Sequence, residues 1–538
     1  MTNIAERLTN AAAKYPDVPA VIQPERNGMY RSVTFAELDA DTDRIAEGLR
    51  RFGVRPGMRL ALLVRYGIDF ISLVFALCKA EVTIVLIDPG MGLRRMFQCL
   101  AEINPDGFVA VETVQIARLF MRHRFPKAKY NVTVGRRWFW GGKTLNEIRT
   151  AGGGTCTAPA VSPEQEPLAA IIFTSGSTGP AKGVEFTHAI FDTQVGEIQK
   201  RFGIMPGEVD LACFPFFGLF DAALGVTAVI PDIDTSKPAQ ADPAKIVAAA
   251  NRWNITQSFA SPAIWQRVAD YCNRTGAKIP TLKRAVSAGA PVSAKILAAL
   301  KPHIHPDGDI FTPYGATESL PVALTSATEI LNETAAKTAQ GLGVCVGKRF
   351  ESITWKVIKI TDKPIARLED AEELPVGQIG ELAVTGAQVT KHYVNRPEAD
   401  AASKMLDNEQ RTWHRIGDVG YLDEHDRFWF CGRKSHRVVT AEKVYYSIPC
   451  EAVFNQHPKV YRSALAAGRN GVRMFIEPYP EHFPKTKSET AVLLAELREL
   501  GKGNELTQDI TDIRLMHRFP VDVRHNIKIN RELLQDRH

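Results

Sequence analysis

Along this chain, stretches with helical spacing of apolar residues alternate with short apolar runs that end in Gly, Pro or Asp. Phe35 to Phe52 and Pro243 to Trp253 carry the helical pattern. The short runs include Arg59 to Val64, Thr83 to Ile87, Gly107 to Val111 and Ala169 to Phe173. Runs with no polar alternation suit strands covered on both faces. Strands alternating with helices predict parallel sheets in an α/β fold. The most apolar run, Phe70 to Ile87, is broken by Lys79 and Glu81. It divides into a buried helix and a following strand rather than a membrane span. Met1 to Lys14 reads as an amphipathic helix and lacks the apolar core of a signal peptide, so a cytoplasmic location is expected.

After about Gly341 the texture changes. Trp355 to Ile360 and Gly380 to Thr385 read as strands of a smaller β-rich unit. "GDVGYLDEHDRFWFCGR", residues 417–433, reads as a hairpin with an acidic turn. Beyond it, Glu451 to Asn455 and about Glu489 to Leu500 read as helices, and Arg462 to Ala467 with Val472 to Ile476 as paired strands. The simplest partition is a large unit, 1–433, and a compact C-terminal unit, 434–538, with the charged stretch "GRKSHR" at the boundary.

Composition narrows the class without naming it. The 538 residues suffice for two or three domains, and 45% hydrophobic with 23% charged is ordinary for a globular enzyme. A net charge of +6 over this length argues weakly for a nucleic-acid partner. The eight cysteines are scattered singly, with no C-x-x-C, and read as buried thiols in a reducing compartment. One stretch, "RLFMRHRFPKAKYNVTVGRRWFWGGK" (118–143), mixes cations with aromatics. It is read as a solvated face with anchoring aromatics, the alternative being a membrane-surface or partner-docking patch.

Candidate chemistry begins at "IIFTSGSTGPAKGVEFTH", 171–188. Small residues after a strand free backbone N–H groups for an anion, and Thr174, Ser175, Ser177, Thr178 and Lys182 add donors and charge around Gly176 and Gly179. Gly183 follows Lys182, so this is not a Walker A loop, and a plain flexible turn stays open on composition alone. A second cluster, "TPYGATES" (312–319), offers Tyr314 to stack on a flat base and, after Gly315, Glu318 as a hard oxygen ligand for Mg²⁺. Asp418, between two glycines in "WHRIGDVGYLD", can accept from ribose hydroxyls, and Arg433 can partner ribose or its phosphate.

These four clusters, in this order, resemble the adenylate-forming superfamily of acyl- and aryl-CoA synthetases, luciferases and peptide-synthetase adenylation domains. The resemblance runs from "FALCKAEVTIVLIDPG" (75–90) to "VDVRHNIKINRELL" (521–534), and T-S-G-S-T-G-x-x-K-G-V is complete at 174–184. It implies an α/β fold: a large N-terminal domain of stacked mixed and parallel sheets in αβα layers with a β-rich subdomain, and a small mobile α+β lid carrying Lys528. It further implies that the loop wraps the β- and γ-phosphates of ATP and that Ser287, Ala288, Gly289, Ala290 and Pro291 line the adenine pocket. Tyr314 would stack on adenine, Thr317 touch the α-phosphate and Glu318 hold Mg²⁺. Asp418 and Arg433 would hold ribose, and Lys528 would serve adenylation.

The chain departs from that pattern where a thiol acceptor is normally served. The hinge position two residues past Arg433 is Ser435, where Asp or Lys is usual. The following stretch, 437–451, has no glycine to let pantetheine approach the backbone. The acyl-pocket pattern Pro-x-x-His is Pro215-Phe216-Phe217-Gly218 here, and with Phe214 and Phe220 the wall is aromatic, suited to long alkyl chains. The stretches "FPFFGLFDAALG", "AVIPDID", "HRVVTAEKVYYSIPCEAVFNQHP" and "PVDVRHNIKINRE" look like the olefin-pathway β-lactone synthetases of bacterial hydrocarbon biosynthesis. That resemblance implies adenylation of a 2-alkyl-3-hydroxy fatty acid with ATP and Mg²⁺, then displacement of AMP by the substrate's own hydroxyl. It also implies contact with other enzymes of the pathway. His188, His436 and His525 are candidates for the base, each more at home in a structural or surface role. The competing readings are a long-chain acyl-CoA or acyl-carrier-protein ligase and a non-catalytic relative.

Overall fold

A computed structural model describes residues 3–25, 28–153, 166–173, 181–235, 237–289, 292–468, 471–521 and 529–535. Two large sheets organise it. The seven-stranded sheet runs, in spatial order, Lys143–Thr144, Val132–Val134, Gly107–Val111, Arg59–Leu63, Thr83–Leu86, Leu168–Phe173 and Gly183–Thr187. All its pairs are parallel except the last, where Phe173 faces Gly183. The strand Arg59–Leu63 shows why both faces are covered. Leu60 and Leu62 enter one core cluster, and Ala61 and Leu63 enter the cluster on the opposite face.

The fourteen-stranded sheet changes character half-way. From Pro19–Pro24 through Thr227–Val229, Val209–Leu211, Gln257–Ala260 and Arg284–Ser287 to Asp309–Ala316 its pairs are parallel. From Asp309–Ala316 onward, through Ser319–Ser326, Val344–Arg349, Arg427–Arg433, Thr412–Leu422 and Gly380–Gly386 to Ile353–Ile358, they are antiparallel. The β-rich unit expected after Gly341 therefore has its own apolar cluster, around Phe350, Trp355 and Phe428, but is no separate sheet. Pairing of Ala323 with Arg349 and of Leu324 with Lys348 joins it to Ser319–Ser326, which pairs in turn with Asp309–Ala316, the last of the parallel strands.

The helices Ala5–Lys14, Phe35–Phe52, Ile68–Lys79 and Pro215–Leu224 share a core cluster with strands of both sheets. The Phe35–Phe52 helix has the span its periodicity predicts. Thr34 and Glu37 close a capping box at its start, and Gly53, at φ 104°, ends it. Lys79, which interrupts the apolar run, is buried and paired to Asp39 at 2.7 Å and Asp43 at 2.5 Å. Among the described residues no helix is long and apolar enough to cross a membrane. The hairpin forms as Thr412–Leu422 and Arg427–Arg433. In the C-terminal part Val460–Gly468, Gly471–Pro478 and Asp512–Leu515 make a three-stranded sheet beside helix Lys487–Lys502.

Candidate active site

The strand Asp309–Ala316 has a parallel neighbour on one side and an antiparallel one on the other, and its carboxyl end opens into a crevice. Open α/β sheets place ligands at such points. The crevice here is a cavity of about 1630 Å³. One end is polar and includes Lys182, Tyr314, Thr317, Glu318, Asp418 and Arg433. The other end is apolar and includes Tyr66, Phe70, Phe214, Phe217, Phe220 and Phe259.

The polar end is built by register. The hairpin sets Asp418 directly opposite Arg433, and their charged groups meet at 2.9 Å. Tyr314 donates to the other Asp418 oxygen at 2.6 Å. Asp418 in turn raises the pKa of Arg433 and keeps that guanidinium charged. Glu318 lies in the turn after the same strand. Its backbone carbonyl accepts from Thr390 N–H at 2.9 Å, and its carboxylate accepts from the Tyr393 hydroxyl at 2.6 Å. Lys182 stands over the Tyr393 ring, 4.8 Å from its centre. Lys404 approaches the same ring at 5.6 Å, and burial lowers its pKa to about 8. His414 also faces the cavity. Burial first, then the nearby Lys404, depresses its pKa and keeps the ring neutral.

The apolar end is a stack of rings. Phe217 lies flat on Phe259 with centres 3.7 Å apart and meets Phe220 edge-on at 5.6 Å. Phe214 tilts against Phe259 at 5.5 Å, and Tyr66 meets Phe70 edge-on at 6.0 Å. Rings packed in this way present a continuous apolar surface to the cavity.

Residues 8–394 match the family model for AMP-binding enzymes. The chain belongs to that family. It is 41% identical to the olefin beta-lactone synthetase of Stenotrophomonas maltophilia strain K279a, covering 99% of this chain and 97% of that protein. It is 40% identical to the olefin beta-lactone synthetase of Xanthomonas campestris pv. campestris, with the same coverage. In fold it is similar to the amide bond synthetase McbA of Marinactinospora thermotolerans, with a TM-score of 0.79, 19% identity and coverage of 99% and 98%. It is also similar to the O-succinylbenzoate coenzyme A synthetase of Bacillus subtilis in complex with ATP and magnesium ion, with a TM-score of 0.74, 20% identity and full coverage of both chains.

Within this AMP-binding chain, the residues singled out from sequence divide into three groups. Lys182, Phe214, Phe217, Phe220, Ser287, Ala288, Gly289, Tyr314, Gly315, Thr317, Glu318, Asp418, Arg433 and Ser435 all line the same cavity. Thr174, Ser175, Gly176, Ser177, Thr178, Gly179, Ala290, Pro291, His525, Lys528 and the Phe216 side chain lie outside the described residues. The third group lies outside the cavity lining: Gly218 differs from its expected place in the acyl pocket, while His188 and His436 take the structural roles expected of them. Gly218 does not line the cavity but sits behind Tyr66. His188 and His436 line no part of it either. His188 is buried under the N-terminal segment, accepting from Ile4 N–H at 3.5 Å, and burial lowers the pKa of His188 to about 4 and of His436 to about 3. Sequence reasoning missed Tyr66, Phe70, Phe259, Tyr393, Lys404 and His414. Of these, His414 stands inside the quoted "WHRIGDVGYLD", and Tyr393 with Lys404 flanks "NRPEAD", whose polar density was a usable signal.

The polar end fits a nucleotide and a hard divalent cation. Lys182 and Arg433 supply positive charge, Tyr314 a flat ring, and Glu318 a carboxylate oxygen. Among the described residues no three His, Cys, Asp or Glu side chains converge on a metal site. A single carboxylate is the arrangement suited to Mg²⁺, which keeps water and takes the rest of its shell from phosphate oxygens.

Proposed function

We propose that this enzyme adenylates a 2-alkyl-3-hydroxy fatty acid at the expense of ATP and closes the product to a β-lactone, releasing AMP and pyrophosphate. The observation that carries the reading is the cavity itself, with a nucleotide-like polar end running into an aromatic, water-excluding end, in a chain matched over its length by two olefin beta-lactone synthetases.

The chemistry follows from the groups. A carboxylate is a poor electrophile, so its oxygen must first attack the α-phosphorus of ATP and expel pyrophosphate. Two anions then approach each other, and cations must be aimed where charge develops. We assign Lys528, Lys182 and Thr317 to that task, with the loop 174–179 around the leaving phosphates. Glu318 would hold Mg²⁺, which when bound neutralises phosphate charge. Tyr393, hydrogen-bonded to Glu318, fixes the carboxylate's direction. Gly289, Ala290, Pro291, Tyr314 and Gly315 would enclose adenine, and Asp418 with Arg433 would take ribose. In the second step the substrate's 3-hydroxyl oxygen forms a bond to the acyl carbon, and the bond from that carbon to AMP breaks. The hydroxyl proton is released. An internal nucleophile held beside its target reacts as an effectively unimolecular pair, and the ring-lined wall protects the adenylate from hydrolysis.

We divide the chain into an adenylation domain, 1–433, and a lid, 434–538, hinged at Ser435. In support, Ser435 is exposed on a single 3₁₀ turn, with Lys434 anchored on Glu381 at 3.1 Å and Arg437 on Asp362 at 2.9 Å. A cytoplasmic location suits the seven described cysteines, all free and buried. Docking to other enzymes of the pathway is assigned to 118–143.

The test is mass spectrometry of the products from a racemic 2-alkyl-3-hydroxy acid with ATP and Mg²⁺. A product one water lighter than the acid, formed together with AMP, is expected. Robust acyl-CoA formation from a plain fatty acid, ATP and CoA would instead establish the ligase reading.

A further inference from the structure

Gly218 stands where the acyl-pocket pattern leads one to expect histidine, and the structure shows what occupies the space. A Cβ built on Gly218 would lie 1.7 Å from the Tyr66 hydroxyl oxygen, 2.8 Å from its Cζ and 3.3 Å from its Cε2. No side chain fits there unless the ring shifts. Tyr66 comes from a different sheet, in the turn between strand Arg59–Leu63 and helix Ile68–Lys79. Its ring faces the cavity, while its hydroxyl is sealed in the wall with no hydrogen-bond partner among the described residues.

Beneath that hydroxyl are two buried carboxyl groups, Asp221 and Asp210. Asp221 is one helical turn past Gly218 and accepts from Gln257 at 3.5 Å. Burial raises the pKa of both acids, that of Asp210 to about 7, so the pair retains a proton where exposed carboxyls are charged. The tyrosine thus turns its polar tip away from the cavity and leaves only ring surface for a ligand.

We propose that Gly218 and Tyr66 act as one specificity-determining pair: the bare backbone at 218 forms a notch that seats the Tyr66 ring in the wall, and this seating keeps the apolar end wide enough for an acid carrying a second alkyl chain. This deepens the function proposed above and rests on it for the substrate class. A side chain at 218 drives the ring into the cavity, because close-packed walls yield little. Histidine or alanine there narrows the apolar end, so a branched acid suffers before a straight one.

The experiment compares ATP–pyrophosphate exchange driven by a 2-alkyl long-chain acid and by the unbranched acid of the same main-chain length. Gly218→Ala should lower kcat/KM for the branched acid about tenfold or more relative to the unbranched one, mainly through the KM of the acid, with the KM for ATP unchanged. Tyr66→Leu, added to Gly218→Ala, should restore the wild-type ratio, since the clashing ring is gone. An equal loss on both acids, an unchanged ratio, or failure of Tyr66→Leu to restore it would overturn the pairing. If Gly218→Ala does not fold, the double variant decides: folding with the wild-type ratio supports the notch, and failure to fold overturns it. Exchange that shows the expected ratios without lactone from the 3-hydroxy acids would remove the cyclisation and leave the notch standing. A wild-type enzyme that refuses the branched acid would remove the notch's role.

Discussion

The two ends of the cavity are built by opposite means. The polar end is assembled from short contiguous segments, and its groups hold one another: Asp418 with Arg433 and Tyr314, Glu318 with Tyr393 and Thr390. The apolar end joins the rings of one short stretch, Phe214, Phe217 and Phe220, to rings far away in sequence, Tyr66 and Phe259, and these merely fill adjoining volumes. A buried charge left unpaired is costly, so the polar end tolerates few alternatives. An apolar wall needs only volume and hydrophobicity, and many residue sets supply these. Damage at the polar end should therefore strike every acid alike, whereas damage at the apolar end should re-rank acids.

The largest uniform effect is expected from Lys528→Ala. If this cation stabilises charge in the adenylation step, exchange should fall about 10²–10³-fold for branched and unbranched acids equally. The melting temperature should not change. An effect confined to one acid would break the comparison, since it would make Lys528 part of acid selection.

Asp418→Asn comes next. It removes the charge opposing Arg433 and weakens the acceptor for Tyr314. Hydrogen bonds to charged groups are worth about 1.5–3 kcal/mol, so the KM for ATP should rise about 10–100-fold. The preference among acids should stay where it was. Steady-state kinetics at varied ATP and fixed acid read both quantities, and a re-ranked preference would mean that the two ends are not separable.

The same contrast explains what was legible beforehand. Helix and strand positions followed from period: Phe35–Phe52 and Gly107–Val111 match their sequence boundaries because burial on one or both faces imposes the pattern. Lys182, Tyr314, Glu318, Asp418 and Arg433 were legible because a nucleotide and a hard cation would demand particular atoms at short spacings, whereas Tyr393, Lys404 and His414 beside them were missed. The continuity of the β-rich strands with the parallel sheet was not, because pairing between Ala323 and Arg349 leaves no local signal. Tyr66 was not legible either. Nothing in "RYGID" announces a ring that fits against a glycine more than 150 residues later, although the missing side chain at 218 marked the other half of the pair.

A smaller effect, on stability, should arise from Asp221 and Asp210. Both carboxyls bind their protons more tightly folded than unfolded. Their contribution is complete below the ordinary carboxyl range near pH 4 and is lost progressively as pH rises toward about 7, where Asp210 itself ionises. Each unit of upward displacement opposes the charged form by about 1.4 kcal/mol. Asp221→Asn should thus melt closer to wild type at pH 5 than at pH 8, where it should be the more stable protein. A difference independent of pH would mean that burial does not hold a proton on this pair, and the sealed wall behind Tyr66 would lose its physical basis.

The smallest effect on turnover should come from a region at neither end. In the 118–143 stretch Phe125 and Trp140 are buried, whereas Phe120, Trp138 and Phe139 are 79%, 58% and 74% exposed beside Arg122, Arg124, Arg136 and Arg137. The stretch is therefore both anchored and presented: buried rings fix its shape, and exposed ones offer aromatic surface next to cations. Single exposed apolar residues are common, but three large exposed rings and four arginines in one short stretch are a composition suited to contact. Replacing Phe120, Trp138 and Phe139 together by Ser should leave exchange kinetics with soluble acids within about twofold, as surface changes usually do. It should reduce recovery of the enzymes that supply and consume the acid and the lactone when this chain is used as bait. Unchanged recovery would return the stretch to a solvated face. Altered kinetics on both acids would tie it to the polar end, and a shifted acid preference would extend the apolar end to a surface that the cavity walls do not reach.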